Sequence, residues 1–371
     1  MGTKNYNNAT DLVSFSRASE ATYTDKDGDQ VTASANEPRI DYDENGVLKG
    51  LLIEEARTNL FLNSDAPETQ VVAVTPNSQH TLSFEGGSSV VDLDETIAAT
   101  AVDVFVYDTS KDSDGGAWRT GALAQASSWY NETLNTATRG SRKEFPAVAV
   151  IVAENGTVTI YDGDDPSLPM WMVFNAGTYA YIRGTSGLTS VFASNGKFVV
   201  GDAASGVAIW DMIADKSEAS IGFATLGYYI ALPVSGRNNT DSSYRIQSSD
   251  VIQIVNSTVN DVAMTVLPDA PTDPATGLPV PTIAVATDGN GTYSTSIITD
   301  SGDVYDIASD STGTAVSVAF DGVSAVVTRS DGTVYVWDDA GAIAADGASP
   351  DATYSASSTP ALLGTVSKVA A

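Results

Sequence analysis

The chain contains no cysteine and one histidine, His80. Disulfides, a thiolate nucleophile and thiolate metal ligands are therefore excluded, and a lone imidazole cannot assemble the usual zinc ligand sets. A Ser-His-Asp triad could use only His80. It sits in the polar run Ser78-Gln79-His80-Thr81 without a nucleophile elbow nearby, and reads as a surface side chain. Positive charge is scarce: Lys and Arg total 18 against 47 Asp and Glu, a formal net charge of -29. So acidic a surface repels phosphate backbones and anionic headgroups, so neither nucleic acid nor membrane insertion is expected. Long apolar runs are missing too. The longest, Ala147 to Ala153, falls far short of the roughly 20 residues that span a bilayer. The start, Met1-Gly2-Thr3-Lys4-Asn5-Tyr6, has no apolar core of a secretory leader, and Tyr6 stands where myristoylation needs Ser or Thr. A soluble chain made in the cytoplasm is the expectation. No GxxxxGK[ST] or GxGxxG opens a helix, so no nucleotide site and no cofactor are expected.

What is present is a globular composition. Over 371 residues, 42% are hydrophobic and 18% charged, with 31 glycines. Glycine mixed with many Val, Thr, Ser and Asp favours strands joined by tight turns.

The front of the chain carries several short motifs in order. Phe15-Ser16-Arg17-Ala18-Ser19-Glu20-Ala21-Thr22-Tyr23 is followed by Pro38-Arg39-Ile40-Asp41-Tyr42 and then Gly50-Leu51-Leu52-Ile53-Glu54-Glu55-Ala56-Arg57-Thr58-Asn59-Leu60. Between them, Thr22–Thr24 and Val31–Ala33 flank Asp25-Lys26-Asp27-Gly28-Asp29-Gln30, which reads as a hairpin. Ile40–Tyr42 and Val47–Leu48 flank Asp43-Glu44-Asn45-Gly46, a second hairpin of Asn-Gly type. This ensemble resembles the N-terminal segment of bacteriophage fibre, spike and head-appendage proteins, over residues up to about 65. The resemblance implies a virion structural protein attached to capsid, neck or tail through this segment. The residues matching the shared pattern, Phe15, Arg17, Ala18, Tyr23, Pro38, Arg39, Glu54, Glu55, Arg57 and Asn59, are the docking candidates. Arg17, Arg39 and Arg57 could pair with carboxylates of a partner or with Glu54 and Glu55 inside the unit. By the same analogy the chain is a homo-oligomer, a trimer in the manner of fibres, exposed on the particle.

Residues 66–96 are rich in Pro, Ser, Gly and Thr and read as a linker. Residues 97–371 read as a repeat domain of hairpins. An apolar strand, a turn of Asn-Gly, Ser-Gly or Asp-Gly, and a strand ending in an acidic turn recur at 147–162, 190–202, 296–306 and 325–338, with weaker versions at 102–108 and 205–211. The spacing is near the roughly 40-residue period of a propeller blade. Hydrophobic-Trp-Asp endings at Ile209-Trp210-Asp211 and Val336-Trp337-Asp338 agree, although no Gly-His element accompanies them. The fold expected is all-β: a small N-terminal β docking domain, then a β-propeller-like array of antiparallel hairpin repeats with five or six blade-like units. A β-sandwich and a linear β-solenoid are the alternatives. Gly227–Val251 and Pro268–Pro281 are irregular gaps, and the proline-rich 269–279 stretch reads as an exposed loop between blades. Thr359 to Ala371 reads as the opening of another strand pair, completing the first blade or beginning a longer array.

No catalytic constellation emerges, so an enzyme is not expected. Asp25, Asp27 and Asp29 alternate as in a calcium loop, but Gln30 replaces its glycine and Asn36 its closing glutamate, which leaves a hairpin turn. Asp162-Gly163-Asp164-Asp165 and Asp112-Ser113-Asp114-Gly115 read as solvated acidic turns. Arg139-Gly140-Ser141-Arg142-Lys143 reads as a loop pairing with the acidic surface. Trp118, Trp129, Tyr130, Trp171, Tyr179 and Tyr181 could line a groove for host-surface glycans, with core packing as the default. The alternatives to an inert appendage are therefore a glycan-degrading spike and a carbohydrate-binding adhesin, whose test residues would be Trp129 and Trp171.

Overall fold

The computed structural model describes residues 21–34, 39–42, 46–51, 99–182, 187–221, 227–248, 253–309 and 313–355. Contacts divide the chain into two units, Met1–Ala73 and Val74–Ala371.

In the first unit, β1 (Ala21–Thr24) pairs antiparallel with β2 (Gln30–Ala33), and β3 (Ile40–Tyr42) with β4 (Leu48–Leu51). Both hairpins read from the sequence are present. The first turn closes on Asp25, whose Oδ1 accepts the Asp27 and Asp29 amides at 2.9 and 3.0 Å. That carboxylate is occupied by its own turn, as the hairpin reading requires. A Cβ on Gly46 would lie 2.7 Å from the Lys26 carbonyl oxygen, so the second hairpin approaches the first turn at a point only glycine permits.

Among its described residues the second unit holds four antiparallel sheets, each a meander whose strands neighbour one another in chain order. Sheet 1 is β5 (Ala101–Asp108), β6 (Val148–Glu154), β7 (Thr157–Asp162) and β8 (Met170–Asn175). Sheet 2 is β9 (Leu188–Ser194), β10 (Lys197–Asp202), β11 (Gly206–Asp211) and β12 (Lys216–Ile221), extended by β13 (Gly227–Ile230) and β14 (Arg245–Ser248). Sheet 3 is β15 (Val259–Thr265), β16 (Thr282–Thr287), β17 (Tyr293–Ile298) and β18 (Val304–Ser309). Sheet 4 is β19 (Ala315–Asp321), β20 (Ser324–Arg329), β21 (Val334–Trp337) and β22 (Ala352–Tyr354). Tight turns set the registers: at Asn195-Gly196 both residues have positive φ (49° and 71°), the signature of a two-residue hairpin turn.

The first strands pack in series, β5 on β9, β9 on β15 and β15 on β19. The core follows the sheets. One cluster fills the space between sheets 1 and 2, a second that between 2 and 3, and a third that between 3 and 4. Four-stranded meanders stacked face to face through their first strands make a propeller-like all-β array, as expected. Four such sheets lie among the described residues, against the five or six units counted from hairpin signals. No comparable packing joins β19 back to β5.

Two details correct the sequence reading. The hairpin repeat mixes strand positions: 147–162 holds second and third strands, 190–202 first and second, 296–306 third and fourth. Any two adjacent antiparallel strands produce the same apolar–turn–apolar pattern, so the phase is lost. The stretch 269–279 does not connect blades. It joins the first two strands of sheet 3 and folds inward, with Thr276 and Leu278 both buried.

Candidate functional site

Each first strand begins with a register shift, between Ala101 and Asp103, Leu188 and Ser190, Val259 and Asp261, and Ala315 and Ser317. The extra residue of a bulge re-aims the side chain that follows it. Here that residue is Asp103, Ser190, Asp261 or Ser317, always followed by valine. These side chains form a ladder across the array. Asp103 Oδ2 accepts the Val191 amide at 2.9 Å, and Ser190 Oγ accepts the Val262 amide at 3.4 Å while donating to Asp261 Oδ1 at 2.8 Å. Asp261 Oδ2 accepts the Val318 amide at 3.1 Å. Each rung ties one sheet to the amide just after the polar residue of the next. On β5 the equivalent Val104 amide donates to its own neighbour, Asp103 Oδ1, at 3.0 Å.

A second polar centre lies at the β10–β12 edge of sheet 2. The Lys197 ammonium is 3.1 Å from Asp211 Oδ2, 2.5 Å from Glu218 Oε1 and 3.6 Å from Asp273 Oδ2, the last brought in by the loop between β15 and β16. Those three acids are the one group of metal-capable side chains among the described residues. The ammonium stands where a cation would stand, so the arrangement is an internal ion cluster. Burial pushes the Asp211 carboxyl above its ordinary range, opposed by Lys197 and reinforced by Glu218. Burial also pulls on Lys197, but Asp211 and Glu218 outweigh it and hold the ammonium above its usual value.

Asp112 is also buried, with no ion pair among the described residues. It accepts from Tyr107 Oη at 2.6 Å, Trp118 Nε1 at 2.8 Å and the Asn195 amide at 2.8 Å. Burial raises its carboxyl above the ordinary range despite those bonds. Asn195 Nδ2 in turn donates to the Pro279 carbonyl at 2.9 Å, which pins the proline-rich loop to the β9–β10 turn.

The third centre anchors the long insertion between β5 and β6 to sheets 1 and 2. Arg139 is fully buried over the Trp171 ring, 4.3 Å from its centroid, and burial lowers its guanidinium to about 10. Arg237 donates to Glu132 Oε1 at 2.8 Å, and Trp129 Nε1 to the Met212 carbonyl at 2.7 Å. Every one of these groups is held by neighbours in the fold.

No family model and no curated protein matches the chain. Among solved structures it is similar to the computationally designed Ika8 protein (15% identity, 53% of this chain and 59% of that one, TM-score 0.27). It is also similar to the Neurospora crassa Pan2 WD40 domain (10%, 69% and 56%, TM-score 0.30) and the Chaetomium thermophilum Nup170 N-terminal domain in complex with Nup53 (11%, 56% and 27%, TM-score 0.30). The chain thus spans between about a quarter and three-fifths of the length of these structures.

Of the docking candidates, Tyr23 and Arg39 fall within the described residues. Tyr23 is half-buried on β1, and Arg39, just before β3, is buried with Nη1 donating to the Thr22 carbonyl of β1 at 2.9 Å. Phe15, Arg17, Ala18, Pro38, Glu54, Glu55, Arg57 and Asn59 lie outside the described residues, as do His80, Asn36 and the linker at 66–96. The glycan test residues are corrected outright. Trp129 and Trp171 are 0% and 1% exposed, enclosed with Phe145 in edge-to-face contacts, and cannot offer a ring face to a sugar. Trp118 and Tyr181 are buried as well. The acidic turns are bonded inward: Asp164 takes the Ala147 and Val148 amides at 2.9 Å and Arg142 at 2.7 Å. Asp114 takes the Gly116 and Trp118 amides. Arg142 therefore pairs with acidic residues as its loop was read, while Arg139 turned inward.

Sequence reasoning passed over the ladder. Its signal was one polar residue before a valine, too little to register against 47 acids. Aligning Ala101-Val102-Asp103-Val104, Leu188-Thr189-Ser190-Val191, Val259-Asn260-Asp261-Val262 and Ala315-Val316-Ser317-Val318 would have found it and fixed the phase.

Proposed function

We propose that the chain is a structural appendage protein of a bacteriophage particle, a component of a fibre, spike or head appendage. Its front segment attaches to capsid, neck or tail, and the propeller-like body forms the projecting part. The observation that carries this reading is the ordered set of front motifs from Phe15 to Leu60. Two features of the fold support it. Arg39, from the shared pattern, holds the two front hairpins together through Thr22, which gives that pattern a reason to persist as a unit. The polar centres of the body all brace one sheet against another or an insertion against a sheet, which suits a body whose task is to keep its shape. The net charge of -29 keeps that body dispersed and away from nucleic acid. Homo-oligomerisation, a trimer by analogy, and contact with host-surface glycans belong to the same proposal.

The test is incorporation. The body of a variant lacking residues 1–65 should fold, since the four stacked sheets lie in the second unit, and the variant should be absent from purified particles. Truncated protein recovered with particles at the full-length ratio would refute the attachment role.

A further inference from the structure

Lys197, Asp211 and Glu218 carry more than the geometry of an ion pair. Lys197 and Asp211 stand directly opposite each other on β10 and β11, their side chains 7% and 0% exposed, with Nζ 3.1 Å from Oδ2. Asp211 Oδ1 accepts two backbone amides, Ile213 at 2.7 Å and Ala214 at 2.8 Å, which fix the carboxyl and surround that oxygen with N–H donors. Oδ2 is buried and accepts no hydrogen bond of good geometry, so that edge of the carboxyl is left to the Lys197 nitrogen. Glu218 is the extra residue of a bulge in β12, where the register passes from Ile209↔Ala219 to Trp210↔Ser217. The bulge turns its carboxylate onto the same ammonium, at 2.5 Å. Carboxylate oxygens of Glu218 and Asp211 lie within 4.8 Å of each other.

We infer that Lys197 and Asp211 condense to an isopeptide amide between β10 and β11, with Glu218 carrying the protons. The reaction balances within the cluster. Glu218 takes one proton from the ammonium and passes it to Asp211 Oδ2, which leaves a neutral amine beside a neutral carboxylic acid. The Nζ lone pair attacks Cγ, and the carbonyl electron pair moves onto Oδ1, where the Ile213 and Ala214 amides hold the oxyanion. Glu218 moves a second proton from nitrogen to Oδ2. The pair on Oδ1 re-forms the double bond, the Cγ–Oδ2 bond breaks, and water leaves. One C–N bond is made, one C–O bond is lost, and Glu218 ends as it began. Contact between the reacting groups favours the step, because well-oriented intramolecular pairs react as though at about 10⁵ M or more. Burial holds the Asp211 carboxyl above its ordinary range, towards the protonated form that the amine attacks. Lys197 is held as the ammonium by Asp211 and Glu218, so the rate rests on Glu218 taking its proton. Lys216 Nζ, 3.6 Å from Glu218 Oε1, supports that residue as the carboxylate, and Asp273 Oδ2 lies 3.6 Å from Lys197 Nζ on the loop side.

Tryptic peptide mass spectrometry of the full chain, sampled over time after cell-free synthesis, reads the bond directly. The amide blocks cleavage after Lys197, so residues 184–216 should be recovered as one peptide lighter by one water. Fragmentation of that peptide should release no backbone ions between Lys197 and Asp211, as a closed loop requires. Glu218→Gln should form the loop about 100-fold more slowly or worse, as loss of a general acid–base group predicts. Lys197→Arg, which keeps the charge, should not form it at all. Circular dichroism matching wild type shows that either variant has folded. Complete cleavage after Lys197 once the wild-type peptide pattern stops changing overturns the proposal. So does a water lost elsewhere in the peptide, or a loop that closes in Glu218→Gln at the wild-type rate.

Discussion

Replacing Asp261 with alanine should be the most damaging single change to the ladder. Its carboxylate is 3% exposed and takes two donors from two different sheets, the Ser190 hydroxyl at 2.8 Å and the Val318 amide at 3.1 Å. Alanine leaves both donors buried where water cannot reach, at about 1–3 kcal/mol for each unmet group. The expected loss is therefore about 2–6 kcal/mol, a large share of the roughly 5–15 kcal/mol that stabilises a domain. Asp103→Ala is the internal comparison. It performs the same role for the Val191 amide, but from a half-exposed position where solvent can substitute, so it should cost about 1 kcal/mol. Urea denaturation followed by tryptophan fluorescence gives both values, and the slopes should match wild type if only stability has changed. Equal losses for the two variants would refute the claim that the axial bonds hold adjacent sheets together.

The other predictions concern the buried charges and the aromatic core. Lys197→Met should destabilise by about 3–5 kcal/mol near neutral pH, because Asp211, Glu218 and Asp273 are left facing one another. The deficit should shrink in acid as Asp211, whose carboxyl burial holds above its ordinary range, takes up a proton, measured as melting temperature against pH, and a pH-independent deficit would contradict the assignment. Asp112 should titrate above a free aspartate, because burial disfavours its charge. A raised folded value means that its protonation favours the native state, so its contribution grows as pH falls through that value and is lost as pH rises through it; carbon-detected carboxyl titration would show this, and a value at or below the ordinary one would not fit. Trp129→Ala should cost about 3–5 kcal/mol by emptying the core between sheets 1 and 2. If it instead abolished binding to a glycan array while leaving the melting temperature unchanged, the burial of that ring would be contradicted.

Much of the architecture was legible because it rests on short-range signals. Asn195-Gly196 and the Asp25–Asp29 turn fix their hairpins through local φ preferences and an Asx-type bond, and the structure has both. Trp210-Asp211 and Trp337-Asp338 close third strands in sheets 2 and 4, in phase with one another, so the Trp-Asp signal was sound. What stayed hidden depends on partners far along the chain. Asp261 looks like any acid until Ser190 and Val318 are placed beside it. Lys197 gathers carboxylates from two other strands and a distant loop. The inward fold of 269–279 turns on Leu278 finding the core of sheets 1 and 2, a contact that proline content does not reveal. The aromatic cluster was visible, but whether its rings faced inward depended on the insertion between β5 and β6 crossing to Met212 and Asp215.

The attachment of this chain to a virus particle is the claim on which the functional reading stands. Quantitative mass spectrometry of density-purified particles from the producing host measures it directly. The account predicts the chain at a fixed copy number relative to the major capsid protein, retained after high-salt washing. Recovery of the chain solely from the particle-free fraction would contradict it.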